Sequence, residues 1–375
     1  MVTQRRPRPD PATLIGGGKV QELGRMVEEL GAEVVIFDSD LTPAQGATLE
    51  EELGVKVIDR TQLILDIFAQ RAQTHEGRCQ VELAQLRYIL PRLTGRGSIM
   101  RQQGGIGVRG PGEQKLEVDR RVIRERIRRL EAELEVIRQD RQVQRKRRAD
   151  TGAFTVTLVG YTNAGKSTLL NALTGADAFA EDKLFATLDP LVRRCSLPEG
   201  GEVLLADTVG FVRRLPHSLV AAFRATLEEV REANLLLIVA DASHPCREEH
   251  IATVRQVLEE IQAANVPSLL VYNKIDLLPP DELSMLRGER APKVLVSAIK
   301  RWGLQDLLAA ISQRVALSRT VVNLRIPAAR GDVLAGIHRR GRILRQQVDQ
   351  NMLILEAEVP PSMVSQLSEF MTRIG

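Results

Sequence analysis

The chain has 375 residues, of which 43% are hydrophobic and 27% charged, with a formal net charge of +4. That length allows two or three domains, the apolar content excludes a chain too polar to fold, and an aromatic content of only 3% argues against a stacking platform for single-stranded nucleic acid. The three scattered cysteines (Cys79, Cys195, Cys246) show no disulfide framework or zinc spacing, the start MVTQRRPRPDP has no apolar signal core, and no apolar run approaches the ~20 residues that cross a bilayer, so a cytoplasmic protein with no membrane span is expected.

Residues 12–74 alternate between helical and strand patterns: KVQELGRMVEEL, EVVIFD, TPAQGATLEEEL, KVIDR, TQLILDIFAQRA. This predicts a small parallel α/β unit whose first strand is very short or absent. CQVELAQLRYILPRL (79–93) follows as a helix, then a loop at 94–112 with seven glycines and one proline. Leu116, Ile123, Ile127, Leu130, Leu134 and Ile137 are spaced 7, 4, 3, 4 and 3, a seam for packing helix against helix. Two helices around a glycine-rich loop predict an antiparallel hairpin with that loop at its tip, and RQVQRKRRADTG (141–152) reads as the end of the helix and a linker.

Residues 115–148 carry 13 Lys/Arg against 7 Asp/Glu. A solvated helix face is the commoner meaning of such a stripe, and a footprint on nucleic acid is the other. From Phe154 to about residue 316, the apolar strands FTVTLVG, EVLLADT, LLLIVADA, PSLLVYNK and KVLVSA alternate with helices, a doubly wound sheet, with RRCSLPEGGEVLLADT as a hairpin that makes one strand antiparallel. The last stretch reads strand, helix, strand, strand, helix, ending in SMVSQLSEFM. The expected division is 1–77, an N-terminal α/β subdomain; 78–150, a helical hairpin; 151–317, a nucleotide-binding domain; and 318–375, a small α+β domain.

GYTNAGKST (Gly160 to Thr168) follows a strand, opens a helix and fits G-x-x-x-x-G-K-[ST]. Gly160 and Gly165 let the backbone of Tyr161, Thr162, Asn163 and Ala164 wrap phosphates. Lys166 can reach the β- and γ-phosphates and the Ser167 hydroxyl can ligate Mg²⁺. NKID (Asn273, Lys274, Ile275, Asp276) ends another strand; Asp276 can accept from guanine N1–H and the exocyclic amine, which adenine does not supply together. Val296, Ser297 and Ala298 close the base pocket. In DTVG, Asp207 suits the Mg²⁺ shell through water and Gly210 offers an amide to a γ-phosphate, with Thr208 and Val209 between them. FATLDP holds Phe185, Ala186, Thr187, Leu188 and Asp189 where a mobile switch belongs, and Thr187 is the expected second Mg²⁺ ligand. The candidate catalytic set is therefore Lys166, Thr187, Asp207 and Gly210.

Two features leave alternatives. Asn163, three residues before the lysine, either helps hold a monovalent cation such as K⁺ against the phosphates or only stabilises the loop. Phe211 stands where a glutamine often orients the attacking water, and it can neither donate nor accept a hydrogen bond. Slow intrinsic hydrolysis is the consequence. In DASHPCREEH, His244, Cys246 and His250 match no standard zinc spacing, and a loop opening a helix is expected.

With GGIGVRGPGE, LEVDRR, GYTNAGKST, LFATLDP, DTVGFVRRLPHSLVAAFRATLEE, DASHP and NKID in hand, nearly the whole chain resembles an HflX-type ribosome-associated GTPase of the Obg–HflX group. The family also carries a hydrophobic residue after its DxxG. The glycine loop departs from it, reading GVRGPGEQKLE where GTRGPGETQLE is commoner. The resemblance implies a P-loop GTPase that is read as a monomer, binds the large (50S) ribosomal subunit and its rRNA in the GTP state, and splits idle or stalled ribosomes under stress. Arg101 and Arg109 near the tip and Arg120, Arg121, Arg124 and Arg128 on the stripe are the candidate RNA contacts, with Glu125, Glu131 and Glu133 expected to pair with part of the stripe. Two rival functions fit the same motifs: a GTPase of subunit assembly, and a non-enzymatic adaptor that uses GTP only for shape.

Overall fold

The computed structural model describes residues 2–93, 111–150, 152–175, 191–198, 200–211, 224–289, 291–364 and 366–372; side chains are not described at 111–116, 144–150, 224–227 and 361–362. The chain forms two compact units, one built on Met1–Ile137 and one on Arg138–Leu215 with Arg224–Gly375.

The first unit begins with helix α1 (Gly17–Leu30), strand β1 (Val34–Ile36), helix α2 (Pro43–Leu53), strand β2 (Lys56–Ile58) and helix α3 (Arg60–Arg71). Local chemistry sets these boundaries. Thr42 and Gln45 form a reciprocal capping box with Pro43 at the first helical position, and Gly54 ends α2 at φ 65°. Strands β1 and β2 pair in parallel, Val35 opposite Val57. Ahead of α1, the described residues show only an isolated bridge between Asp10 and Leu14 in place of a first strand.

Helix α4 (His75–Arg92) is capped by Thr74, whose hydroxyl accepts from the Gly77 amide. Helix α5 spans Pro111–Asp150, 40 residues. It overrides two expectations. The helix begins at Pro111, inside the expected loop, because proline suits the first helical turn, and 141–150 continue the helix rather than forming a linker, because Arg, Lys, Gln and Ala favour helix and no glycine intervenes before Gly152. Between α4 and α5, Cys79, Leu83, Ile127 and the fully buried Leu130 form a seam with Leu86, Leu90, Ile123 and Leu134.

In the second unit, strands β3 (Phe154–Gly160), β4 (Val192–Ser196), β5 (Glu202–Asp207), β6 (Leu235–Asp241), β7 (Ser268–Asn273) and β8 (Lys293–Leu295) form one sheet ordered β4-β5-β3-β6-β7-β8. Only β4 runs antiparallel, against β5. Helices α6 (Lys166–Thr174) and α10 (Leu304–Leu317) cover one face through Leu169, Leu170, Leu307 and Ile311. On the other face, α7 (Arg224–Arg231) and α8 (Arg247–Glu260) supply Val230, Val254 and Leu258. Burial on both faces explains the unbroken apolar runs of β3 and β6. Helix α9 (Pro280–Gly288) buries Leu286 beside Tyr272 and Ile275.

Strand β9 (Thr320–Pro327), helix α11 (Gly331–Arg340) and strands β10 (Arg342–Asp349) and β11 (Met352–Val359) complete the unit, with an antiparallel sheet ordered β10-β11-β9. The expected closing helix is broken: α12 covers only Pro361–Val364 and a separate 3-10 turn covers Ser368–Phe370. Among the described residues, no helix is long and apolar enough to cross a membrane.

Candidate nucleotide site

The site lies at the carboxyl ends of β3, β5, β6 and β7, where an open α/β sheet binds ligands. Strand β3 ends at Gly160 and α6 begins at Lys166, so Tyr161 to Gly165 form the connecting loop. Two glycines are required by close approach. A Cβ on Gly160 would sit 2.2 Å from the Val239 carbonyl oxygen, and one on Gly165, which adopts φ +85°, would sit 2.3 Å from Asn273 Nδ2. Asn163 takes a left-handed φ of 61° and is exposed.

Lys166 is buried, and its ammonium donates to the carbonyls of Gly160 and Tyr161 at 3.2 and 3.0 Å. Burial lowers its pKa to about 8, against an opposing pull from Asp207. Asp207 is 1% exposed. Its Oδ2 accepts from the Ser167 hydroxyl at 2.6 Å and its Oδ1 from the Thr208 amide at 2.9 Å. Thr208 in turn donates from its hydroxyl to the Leu158 carbonyl at 2.6 Å.

Gly210 lies against the loop: an added Cβ would meet Thr162 Cα at 2.8 Å and Lys166 Nζ at 3.1 Å. Phe211 locks this arrangement. Its amide donates to the Gly160 carbonyl at 3.0 Å and its carbonyl accepts from the Thr162 amide at 2.9 Å. Its ring is 1% exposed, in the core with Val159, Val230 and Ile238. The aromatic residue is a structural plug whose side chain faces away from solvent.

The base side of the site is organised by Asn273. Its Nδ2 donates to the Ala164 carbonyl and its Oδ1 accepts from the Ala298 amide, both at 3.0 Å. Ser297 is fully buried and accepts from the Lys300 amide, and Val296 donates its amide to the Tyr272 carbonyl. Asp276 is half-exposed in the 3-10 turn Ile275–Leu277 that follows.

Sequence reasoning missed two groups. Asp241, at the end of β6, holds the Lys274 ammonium at 2.8 Å and accepts from Ser243 at 2.7 Å. The His250 ring stacks on Tyr161 with centroids 3.8 Å apart. Both lie in DASHPCREEH, where the recognisable signal was a helix start: α8 begins at Arg247, and the Cys246 amide donates to His244 Nδ1.

The expected switch residues Phe185, Ala186, Thr187, Leu188 and Asp189 lie outside the described residues, as do Arg101 and Arg109. On α5, Arg121, Arg124 and Arg128 are exposed and Arg120 partly so. Arg128 and Arg129 share Glu125. Glu131 and Glu133 do not join the stripe; they pair with Arg87 and His75 of α4, because their side of α5 faces that helix.

Comparison with known proteins agrees with this geometry. Residues 155–274 match the family described as 50S ribosome-binding GTPase, residues 1–69 a GTP-binding GTPase N-terminal family and residues 71–148 a GTP-binding GTPase middle region. GTPase HflX of Caldanaerobacter subterraneus is 48% identical over 99% of this chain and 86% of its own. GTPase HflX of Magnetococcus marinus is 46% identical over 97% of this chain and 85% of its own, and that of Escherichia coli 47% identical over 94% and 83%. A buried lysine and hydroxyl–carboxylate pair at the head of a phosphate loop, a clamped asparagine beside it, and relatives this similar along nearly the whole length place the chain in the HflX family of GTPases.

Proposed function

We propose that nucleotide state at this site controls docking of the chain on the large ribosomal subunit, and that the GTP-bound form splits joined ribosomes. The carrying observation is the meeting of phosphate loop and base loop at Asn273, which makes one side chain respond to both ends of a nucleotide. The 50S ribosome-binding description of the family matched by residues 155–274 supports the partner.

In this reading the loop amides and Lys166 hold the β- and γ-phosphates, and Asp276 selects guanine. Gly210 presents its amide where a γ-phosphate would arrive. An all-oxygen donor pair already hydrogen-bonded at 2.6 Å suits a hard divalent cation, so Ser167, with Asp207 through water, would hold Mg²⁺, joined by Thr187 from the switch. Bound there, Mg²⁺ supplies charge neutralisation along the phosphates. The burial of Phe211 leaves that position without a water-orienting side chain, so backbone groups, a K⁺ ion beside Asn163 or the ribosomal partner must place the nucleophile.

RNA contact falls to Arg120, Arg121 and Arg124 on α5, with Arg128 beside them and Arg101 and Arg109 from the glycine-rich segment. Arg121 and Arg124 are exposed, which lets their guanidinium groups reach phosphates. The test is sedimentation of ribosomes with the protein in GDP and in a non-hydrolysable GTP analogue. Binding to 50S particles and loss of the 70S peak only with the analogue supports the proposal. Equal binding in both nucleotides rejects nucleotide control, and an intact 70S peak with bound protein favours a role in assembly.

A further inference from the structure

The helical hairpin carries a second constellation that the nucleotide chemistry does not use. His75 and Cys79 lie one helical turn apart on α4, so both side chains point the same way. Glu133 of α5 meets them. His75 Nε2 lies 3.0 Å from Glu133 Oε1 and 3.9 Å from Cys79 Sγ, and one ligand atom from each of the three residues lies within 4.8 Å of the others.

The two separations that His75 makes are close to those of ligand atoms around one small cation. Zinc bonds of about 2.3 Å to sulfur and about 2.1 Å to nitrogen and oxygen, at tetrahedral angles, put sulfur and nitrogen about 3.6 Å apart and nitrogen and oxygen about 3.4 Å apart. The observed 3.9 and 3.0 Å each differ by less than half an ångström; Cys79 Sγ lies also 4.0 Å from His75 Nδ1, so the ring, on a side chain 70% exposed, turns to aim its Nε2 lone pair at the shared cation. Thiol, imidazole and carboxylate together favour Zn²⁺ over Mg²⁺ or Ca²⁺.

We propose that His75, Cys79 and Glu133 form a Zn²⁺ site that clamps α4 to α5 at the base of the hairpin. Cys79 is the buried wall of the site, backed by Leu83 and Leu130, while the His75 side chain is 70% exposed and leaves a fourth position open to water. A competing cation, the Arg126 guanidinium, is held by Glu82 at 2.6 and 2.7 Å. Binding forms a Zn–S bond, breaks the S–H bond and releases that proton to solvent; His75 donates its Nε2 lone pair with the ring proton on Nδ1, and no electron is transferred.

The experiment uses the full chain, stripped of metal and saturated with GDP and Mg²⁺ so that the nucleotide site is filled. Co²⁺ is added as the spectroscopic substitute, then displaced by Zn²⁺. The expected result is one equivalent of Co²⁺ with a sulfur-to-cobalt charge-transfer band, bleached by Zn²⁺. Cys79→Ser abolishes the band, His75→Ala and Glu133→Gln weaken affinity by about 10-fold or more, and Cys246→Ser leaves the band unchanged. GDP binding by each variant reports that it is folded. A titration without the sulfur band, or a band that survives Cys79→Ser, overturns the proposal.

Discussion

Asn273 and Ala164 are 109 residues apart in the chain, yet the asparagine carboxamide donates to the alanine carbonyl at 3.0 Å. The same carboxamide accepts from the Ala298 amide, so one side chain joins phosphate loop to base loop. Asn273→Ala removes both bonds and leaves a buried carbonyl and a buried amide without partners. At roughly 1 to 1.5 kcal/mol each, guanine nucleotide affinity should fall about 30- to 160-fold. Titration with a fluorescent GDP analogue measures this, and an unchanged Kd would show that the bridge does not support binding.

Lys166 gives binding a pH signature. Its pKa in the nucleotide-free fold, about 8, lies below the ordinary 10.5, so the cost of burying its charge is full below pH 8 and is relieved as pH rises from 8 to 10.5. Phosphates beside the ammonium raise the pKa again. GDP binding at pH 9 should therefore take up about 0.9 proton, and affinity should fall above pH 8 by up to about 10-fold per unit. Calorimetry in two buffers of different ionisation enthalpy reads the uptake directly; none at pH 9 would mean the lysine is charged before nucleotide arrives.

Replacing the residue after DTVG with a water-orienting side chain should not accelerate this protein. Phe211 is 1% exposed in the core against Val159 and Ile238. Phe211→Gln exchanges a buried ring for a buried amide and should destabilise the fold by about 3 kcal/mol or more. Denaturant unfolding checks the loss, and phosphate release checks turnover, which should not rise above wild type.

Salt dependence separates a ribosomal footprint from a solvated face. If Arg120, Arg121 and Arg124 each meet an rRNA phosphate, the triple change to alanine should weaken 50S binding at every salt concentration. It should also lower the slope of log K against log salt by about three. An unaltered slope would return these arginines to the solvated surface.

Asn163 is exposed at φ 61° in the phosphate loop, and the proposed K⁺ ion beside it has a direct test. Turnover in K⁺ should exceed turnover in Na⁺ at equal ionic strength, and Asn163→Ala should erase the difference. Equal wild-type rates leave Asn163 as a loop-stabilising residue.

The nucleotide motifs, the alternation of strand and helix and the antiparallel hairpin at β4 and β5 were legible in the residues because each is a local solution. A phosphate loop needs glycine where Cβ would strike Val239 or Asn273, and a strand buried on both faces needs an unbroken apolar run. Helix ends were less legible: α5 begins at Pro111 and continues to Asp150, because arginine-rich sequence suits a helix as well as a linker. Only tertiary structure turned Phe211 into the core, gave Lys274 its partner in Asp241, and brought Glu133 to His75 and Cys79 across the hairpin. Such meetings depend on which faces of distant elements pack together, and no spacing along a single segment encodes them.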